Sequence, residues 1–429
     1  MSAASLLASQ TARVRGVYRG WWIVLISYYS QLLTAGAGGW IFGAMILPMQ
    51  QGLGWSQTSI TLVLSVNRMI AGLLAAPLGP VVDRYGSRML MTVSALIAGV
   101  GLIMVSSSQG AAGFYLAWVL YGIATPGINL LGPRVVIPNW FVRERARAFM
   151  WFTMGSATAG IAAVPAAVWV ESHYGWRAVW LIVGIGCLTV SPLSWIVIRR
   201  RPEDVGLLPD GDTPEQRAAA EAAAGPRPAE APWTVSEALH TRAFWLMTLG
   251  FLLVSMPSGA IFINISAFVQ SFGFTKADGA WIVSVYGFGV FGGRWVWGFF
   301  LARIGLYRTM IAYAAIYATS ITVFSMQHAF LGIALTTFWL GVAVSGGQLL
   351  NAQAIPDYFG RRIVGSLTGY SQLANTFVGA FAPLITAIVF DTTGGYVPAF
   401  LAFAVVCVVA AVAFVLSPPP VHPGARAAA

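Results

Sequence analysis

Charged residues are scarce in this chain, and their scarcity is the first constraint on what it can be. Asp, Glu, Lys and Arg make up 9% of the 429 residues, whereas hydrophobic residues make up 58%. Soluble domains carry about 25% charged residues, so the composition excludes an ordinary soluble globular protein. Apolar runs of about 20 residues, each long enough to cross a bilayer as a helix, recur along the whole chain instead.

Residues that carry catalytic or metal chemistry are equally few. Both cysteines, Cys187 and Cys407, fall inside apolar runs, where they are expected to act as small core residues without a disulfide or metal role. The four histidines are far apart in the sequence, and the chain has no Gly-rich loop for nucleotide phosphates. The sequence therefore predicts that the protein is not an enzyme, needs no cofactor and is not driven by ATP.

Twelve apolar runs are predicted to span the membrane as helices. Their number predicts an all-α membrane protein with twelve transmembrane helices. The predicted spans are 21–48, 57–81, 89–107, 112–138, 147–170, 176–198, 243–268, 278–301, 308–326, 329–355, 364–390 and 396–416.

The net charge of +10 is spread in a pattern typical of membrane proteins and not of nucleic-acid binding. Loops on one predicted side hold most of the arginines: Arg84, Arg88, Arg143, Arg145, Arg147, Arg199 to Arg201, Arg303, Arg308, Arg361 and Arg362. The loops on the other side carry few charges, among them Asp391 and the only lysine, Lys276. Because basic loops stay in the cytoplasm, the pattern predicts an integral plasma (inner) membrane protein with both termini and the central loop cytoplasmic.

Three motifs occur twice at nearly the same offset, which indicates an internal repeat. The paired motifs begin at Gln51 and Gln270, at Gly79 and Gly298, and at Pro138 and Pro356. The first two pairs are 219 residues apart and the third pair is 218 apart. The repeat predicts two pseudo-symmetric bundles of six helices with like topology.

The predicted domains follow from this division. They are an N-terminal bundle (1–198), a cytoplasmic linker (199–240), a C-terminal bundle (241–418) and a cytoplasmic tail (419–429). The linker holds six prolines beside an Ala/Glu run, a composition typical of a tether, so we expect it only to connect the bundles.

The loop between the second and third predicted spans carries the most specific motif. Residues 79–88 are Gly-Pro-Val-Val-Asp-Arg-Tyr-Gly-Ser-Arg. Gly79 allows close helix packing, Asp83 can accept hydrogen bonds from an arginine or a helix N-terminus, and Gly86 permits a tight turn. This loop resembles the signature loop of the major facilitator superfamily. The resemblance implies the major facilitator fold and a cytoplasmic charge lock that forms in one access state and breaks in the other.

The second copy of this loop departs from the pattern, because Ala302 stands where the aspartate is expected. Either the second half has no such lock, or Asp357 supplies its charge. The candidate gating residues are Asp83, Arg84, Arg88, Arg143, Arg303, Asp357 and Arg361. The alternative is that these arginines only orient the chain in the membrane.

Within that superfamily, the chain is similar to the monocarboxylate porter and oxalate/formate antiporter branch. The similar features are Gly20-Trp21-Trp22 at the first span, Gly54-Trp55-Ser56 before the second, and residues 199–209 after the sixth. In that branch the eighth helix carries a substrate-facing arginine with a glycine four residues later, a pattern that Arg294 and Gly298 match. Animal members have an aspartate where this chain has Val290, and oxalate exchangers add a lysine in the eleventh helix, which this chain lacks. The resemblance thus implies an organic-anion carrier and disfavours dicarboxylates.

Arginines inside apolar runs are the strongest candidates for a substrate site. Arg294 has no acidic residue within the run 281–301, and a buried arginine costs at least about 2.5–3.5 kcal/mol at a helix centre. Arg68 lies roughly 20 Å from the cytoplasmic end of its predicted helix. At that depth it is expected to need a cavity, polar neighbours or a partner on the outer side. Arg134, near the end of the fourth span, is expected to extend to the membrane surface. An anionic ligand is the usual reason for such a charge.

Uncharged polar side chains can complete the site. Tyr28 shares a helix face with Gln31, and Gln348 shares one with Asn351. The candidate substrate-binding residues are Arg294, Arg68, Asn264, Gln348, Asn351, Tyr28 and Tyr370. The alternative for each uncharged residue is a structural hydrogen bond between helices, typically worth about 0.6 kcal/mol.

The sequence thus predicts a secondary or facilitative carrier of small organic monoanions such as lactate, pyruvate or an aromatic acid. No carboxylate lies deep in a predicted span, so any proton coupling would use the substrate anion itself, and symport, exchange and uniport stay open. The alternatives are an inorganic-anion porter, for example for nitrate, and a non-transporting membrane sensor of the same fold. The expected partners are the substrate, with or without a proton, and the lipid bilayer, and the carrier is expected to be monomeric.

Overall fold

The structure of the chain is a computed structural model. It describes residues 13–14, 17–216, 233–379, 389, 393 and 395–420. Several predictions lie wholly or partly outside these residues: the start of the predicted N-terminal bundle, the Ala/Glu run of the linker, the loop residue Asp391, the carboxyl-terminal part of the predicted span 364–390 and the tail beyond 420.

The described chain is helical apart from one pair of two-residue antiparallel strands, β1 (Arg13–Val14) and β2 (Val17–Tyr18). The first helices are α1 (Arg19–Leu53), α2 (Gln57–Tyr85), α3 (Ser87–Ser107), α4 (Ala111–Trp140), α5 (Arg145–Tyr174) and α6 (Trp176–Val197). Two 3₁₀ turns, Glu203–Val205 and Pro209–Gly211, and a short helix, Val235–Leu239, come next. The remaining helices are α7 (Arg242–Gln270), α8 (Lys276–Ser325), α9 (Phe330–Phe359), α10 (Val364–Gly379) and α11 (Val397–Val415).

Ten helical segments of the described chain are long and apolar enough to cross a membrane. One of them, within α8, contains two predicted spans, 278–301 and 308–326, and the helix breaks between them at Gly305 (φ 75°, ψ 168°). The predicted span 364–390 is described as α10 over its first part only. The all-α membrane fold is confirmed, and twelve spans are consistent with these helices.

The two copies of the repeated motifs adopt the same local backbone. Gly86 between α2 and α3 has φ 83° and ψ 167°, which is close to the conformation of Gly305. Ser56 and Thr275 cap α2 and α8, each accepting a hydrogen bond of 3.2 Å from the amide three residues later. A positive φ favours glycine, which has no Cβ to clash, so the repeat preserves the turns at which the helices begin and end.

Three helices of the first half contain a π-helical turn. These turns are Gly36–Trp40 in α1, Pro126–Leu131 in α4 and Ala159–Ala163 in α5. A π turn inserts an extra residue into the helical hydrogen-bond ladder and bends the helix locally. The apolar periodicity of the sequence did not predict these bends.

The described helices divide into two compact units. The first unit combines Met1–Thr234 with Phe359–Gln372, and the second combines Val235–Tyr358 with Leu373–Ala429. The first unit therefore includes the beginning of α10, which the repeat assigns to the C-terminal bundle. The domain boundaries 1–198, 199–240, 241–418 and 419–429 remain a prediction.

Aromatic side chains fill the core of the first unit between α1, α4 and α6. The ring of Trp118 meets those of Phe42 and Trp180 edge to face, with centroids 5.0 and 5.2 Å apart. Edge-to-face pairs of this kind add to the stabilisation that burial of the rings already provides. Cys187 packs in the same cluster as a buried free thiol, which is the role of a small apolar core residue.

Candidate functional site

Arg294 lies on α8 and is buried inside the second unit, with 2% of its surface exposed. Its Nη2 donates a hydrogen bond of 3.0 Å to Oε1 of Gln348 on α9. Its Nε and Nη1 are also buried, and neither has a hydrogen-bond partner among the described residues. Gln348 thus holds the guanidinium in one place, and the N–H groups on Nε and Nη1 have no acceptor among the described residues.

Close packing of α8 against α9 fixes the position of this arginine. Gly293 lies against the backbone of α9, where an added Cβ would come within 2.6 Å of the Cα of Val342. One turn after Arg294, the indole Nε1 of Trp297 donates to the Val342 carbonyl at 2.8 Å. These contacts hold the stretch of α8 that carries Arg294 close against α9.

An unpaired guanidinium in such a place is costly. A charged side chain at the centre of a transmembrane helix costs at least about 2.5–3.5 kcal/mol, and Gln348 offers only one neutral acceptor. Arg294 forms no ion pair with the residues that the structure describes. The arrangement can therefore accept a small anion, which would supply both the counter-charge and the missing acceptors.

The other predicted substrate-binding residues differ in their surroundings. Asn351 lies one turn beyond Gln348 on α9 and is half-buried. Asn264 on α7 donates to the carbonyl of Ala260, at 2.8 Å, so its amide satisfies its own helix. Of the predicted set in the second unit, Gln348 is the residue that contacts Arg294 directly.

Tyr28 and Tyr370 belong to the first unit. The hydroxyl of Tyr28 on α1 donates to Thr158 on α5 at 3.0 Å, a structural bond between helices. Gln31, which shares its helix face, is buried, and its Oε1 has no hydrogen-bond partner among the described residues. Tyr370 on α10 is 37% exposed. Gln31 is therefore the better candidate on α1, although the sequence placed Tyr28 in the site.

Arg68 is exposed on α2, and its place in the substrate site stays a prediction. It makes no hydrogen bond or ion pair with the part of the chain that the structure describes, and Met69 and Leu73 beside it are exposed as well. The preceding residue, Asn67, points inward and donates to the Trp118 carbonyl at 3.5 Å. Apolar residues flank Arg68 on both sides in the sequence, and such a run does not show which face of the helix is buried. The sequence therefore could not predict in which direction the Arg68 side chain points.

Asp83 binds the amino end of α10 within the first unit. Its carboxylate accepts hydrogen bonds from the amides of Gly365 (2.8 Å) and Ser366 (2.7 Å) and from the Ser366 hydroxyl (2.6 Å). A carboxylate at this place satisfies the first free amides of the helix and interacts favourably with its dipole. The sequence left open whether an arginine or a helix N-terminus binds Asp83, and the structure gives the helix N-terminus.

Glycines let α2 and α10 meet at this lock. A Cβ added to Gly79 would come within 2.7 Å of the Ser366 Cα, and one added to Gly365 would lie 2.7 Å from the Gly79 carbonyl oxygen. Real Cβ atoms essentially never approach so closely. The expected role of Gly79 in close helix packing is confirmed, with α10 as the helix that it contacts.

The predicted gating arginines mostly bind carbonyls and rings. Arg88 donates to the Trp195 carbonyl at 2.8 Å, and its guanidinium lies 3.9 Å from the centre of the Trp195 ring. Arg361 donates to the Asn139 carbonyl at 3.2 Å. The guanidinium groups of Arg84 and Arg303 lie over the rings of Tyr85 and Phe299, at 5.4 and 4.8 Å from their centres. Asp357 accepts from Gln353 on its own helix at 3.2 Å.

Asp210 is a structural residue that the sequence analysis missed. Its carboxylate accepts from the amides of Val142, Arg143 and Glu144 at 2.9 to 3.1 Å, and Asp212 forms an ion pair with Arg143. This part of the predicted linker is therefore folded onto the loop between α4 and α5. The turn sequence Pro-Asp-Gly at 209–211 was the available signal.

Tyr18, near the amino end of the chain, also contacts this folded part of the linker and the end of α4. Its hydroxyl lies 3.1 Å from the carbonyl oxygen of Leu208 and 3.2 Å from that of Trp140. Burial and the nearby carboxylate of Asp210 raise the pKa of Tyr18 above its ordinary value, so the hydroxyl keeps its proton and remains a donor.

The described chain is built of apolar helices long enough to cross a membrane, and the same turn recurs in each half. One solved structure of similar fold is that of the proton:xylose symporter XylE, which superimposes with a TM-score of 0.72 over 93% of this chain and 96% of that one, at 13% sequence identity. The sequence pattern of the Major Facilitator Superfamily matches residues 29–279 and 247–429. The chain belongs to this superfamily, which is a family of membrane transporters.

Individual relatives are distant. The probable L-galactonate transporter of Escherichia coli is 28% identical over 169 residues, which are 38% of this chain and 35% of that protein. Monocarboxylate transporter 2 of Mus musculus is 22% identical over 410 residues, 91% of this chain and 82% of the relative. The membrane sensor protein UhpC of Salmonella typhimurium is 25% identical over 346 residues, 77% of this chain and 74% of the relative.

Proposed function

We propose that this protein carries small organic monoanions across the plasma membrane, with Arg294 as the residue that binds the substrate carboxylate. The carrying observation is the guanidinium that is buried, held by Gln348 and left with two nitrogens unpaired. A carboxylate can accept two parallel hydrogen bonds from a guanidinium and neutralises it at the same time. Gln348 orients the arginine, and Asn351 is the next polar group along α9.

The relatives support an organic anion, because galactonate and the monocarboxylates are both carboxylates. An inorganic anion such as nitrate is the rival substrate. That alternative relies on arginines from two helices, Arg68 and Arg294, whereas Arg294 with Gln348 suffices for a carboxylate. The second alternative, from another class, is a membrane sensor that does not transport, and one relative is named a membrane sensor protein.

The orientation of the chain in the membrane and the gate at Asp83 are part of the same proposal. Both termini lie in the cytoplasm, because the arginine-rich loops then face inwards. The bonds from Gly365 and Ser366 to Asp83 form a lock that opens when the carrier changes its access state. A bound anion neutralises Arg294 while the carrier reorients, so the loaded carrier moves more easily than the empty one and exchange exceeds net flux.

The test is uptake of radiolabelled lactate, benzoate and nitrate into proteoliposomes, with and without unlabelled substrate inside. We expect uptake of an organic monoanion and faster uptake when the same anion is inside. Arg294→Lys should reduce this uptake although the charge is kept, because ammonium is a hydrated point charge without the planar fork. Arg68→Lys should reduce uptake less, or by as much if the two arginines bind one anion. Arg242→Lys, at an exposed arginine outside the candidate sets, is the matched control and should transport normally. Uptake of nitrate alone supports the inorganic rival, and absence of any uptake by folded protein supports the sensor.

A further inference from the structure

Three arginines of the first unit meet at the carboxyl end of α6. Arg19 begins α1, Arg88 is the second residue of α3, and Arg199 follows α6 by two residues. Their guanidinium groups donate five hydrogen bonds of 2.8 to 3.2 Å to backbone carbonyls. The acceptors are four successive carbonyls, those of Trp195, Ile196, Val197 and Ile198. Three positive charges are thus gathered around about one turn of helix.

No carboxylate neutralises this arginine cluster. None of the three arginines forms an ion pair with the part of the chain that the structure describes. The acids nearest in sequence to Arg199 are Glu203 and Asp204, and the carboxylate of Asp204 accepts the backbone amide of Arg201 at 3.1 Å. The carboxyl end of a helix carries only about half a negative charge. Burial and the neighbouring charge of Arg88 lower the pKa of Arg199, which shows that the arginines repel one another.

Capping of α6 does not account for three arginines. Each guanidinium has five N–H groups, so the five hydrogen bonds use one third of the donors in the cluster. Arg88 also lies 3.9 Å from the centre of the exposed Trp195 ring, and tryptophan is enriched at the level of the lipid headgroups. The cluster therefore has both charge and donors available for an anion at the membrane boundary.

An exposed apolar stripe on α3 begins beside the cluster. Its members follow Arg88 at helical spacing and share one face of the helix: Met89, Val93, Leu96 and Val100. The stripe is roughly 16 Å long at 1.5 Å per residue, which is about half of a hydrocarbon core of about 30 Å. It thus has the length of one lipid leaflet and starts at the arginines.

We propose that Arg19, Arg88 and Arg199 bind the phosphate headgroup of an anionic phospholipid whose acyl chains lie along the stripe on α3. The guanidinium groups supply charge-assisted hydrogen bonds to the phosphate oxygens, and the stripe contacts the chains. The arginine distribution predicts that this side is cytoplasmic, and the cytoplasmic leaflet is the one in which anionic lipids attract basic residues. A soluble anion would gain from the arginines but not from the stripe, so the two features together favour a lipid.

The experiment titrates the purified full-length protein in detergent with phosphatidylglycerol and measures the lipid-bound fraction by native mass spectrometry. Phosphatidylcholine, which has no net charge, is the reference lipid, and inorganic phosphate is added as a competitor. We expect phosphatidylglycerol to bind at least tenfold more tightly than phosphatidylcholine and to stay bound at an equal concentration of phosphate. Equal binding of the two lipids, or displacement of phosphatidylglycerol by equal phosphate, contradicts the proposal.

Two pairs of substitutions separate the cluster from general charge. Arg19→Gln with Arg199→Gln should weaken phosphatidylglycerol binding by about tenfold or more, because two charged partners of the headgroup are lost. The glutamine amides can still donate to the carbonyls of α6. Arg242→Gln with Arg308→Gln removes the same charge at two exposed arginines outside the cluster and should change the affinity less than about twofold. Equal weakening by both pairs would show that only net charge matters.

Hydrogen exchange in nanodiscs gives a local readout. Added phosphatidylglycerol should slow amide exchange at the end of α6 and the start of α3 in the natural protein, because the bound headgroup joins the two helix ends and limits their fraying. The Arg19→Gln and Arg199→Gln variant should lose this protection. If phosphatidylglycerol leaves these amides unchanged in the natural protein, while the variant exchanges faster even in phosphatidylcholine, the arginines only cap α6 and the proposal is wrong.

Discussion

Replacing Arg294 by methionine should separate a substrate site from a structural charge, because the two roles predict opposite effects on stability. Methionine keeps an unbranched apolar side chain and removes the charge. The buried guanidinium makes one hydrogen bond, to Gln348 at 3.0 Å, and leaves two nitrogens unpaired. Its removal should thus relieve about 2.5–3.5 kcal/mol of burial cost. Gln348 is exposed, so its Oε1 can bond to water instead and adds little cost.

The burial cost predicts that Arg294→Met is more stable than the natural protein by up to about 2.5–3.5 kcal/mol. Adding Gln348→Met should change the stability little, because the exposed amide has water as a partner. Transport of the organic anion should be lost in both variants. Substrate at about 100 times its Kd should stabilise the natural protein by about 2.7 kcal/mol and the variants not at all.

The assay is thermal unfolding of purified protein in detergent, with and without substrate, next to uptake into proteoliposomes. Breaking a buried ion pair costs about 3–5 kcal/mol. If Arg294→Met loses stability on that scale while uptake continues, Arg294 is a structural charge with a partner, and the reasoning from its unpaired nitrogens is wrong.

Three other changes test the lock, the folded part of the linker and the orientation in the membrane. Asp83→Asn should insert normally but exchange substrate more slowly, because a charge-assisted lock becomes a neutral one; normal counterflow in a well-expressed variant would contradict the gate. Asp210→Ala should lower the free energy of unfolding by about 1–3 kcal/mol, since three amides lose their acceptor. An unchanged unfolding midpoint would show that this contact does not stabilise the protein. A cysteine replacing Arg201 should react with an impermeant thiol reagent only from the cytoplasm and one replacing His173 only from outside; labelling of both from one side would overturn the proposed topology.

The fold was predictable because the signals were local. The described apolar runs are helical, with two of them joined in α8, and the repeated Gly86 and Gly305 mark the same turn in each half. The caps at Ser56 and Thr275 also follow from short motifs. The π turns were not predictable in this way, because they shift the helical register without changing the apolar character of the run.

The candidate site was predictable only in part. Arg294 stood out because an arginine without a nearby acid is rare in an apolar run, and Gln348 was in the predicted set. Arg68 has the same sequence signature, yet it is exposed, since the buried face of α2 is chosen by contacts with other helices. Asp210 contacts amides 66 to 68 residues away, a pairing that no local pattern encodes.

The bonds of Asp83 to α10 also have a consequence for biosynthesis. Their partners lie 282 and 283 residues later in the chain. Ribosomes add about 5–20 residues per second, so Asp83 waits on the order of tens of seconds for Gly365 and Ser366 to emerge. During that interval the nascent first bundle must persist in the bilayer with this carboxylate unbound. A contact that the protein can lack throughout its own synthesis is one that the finished protein can open repeatedly without unfolding.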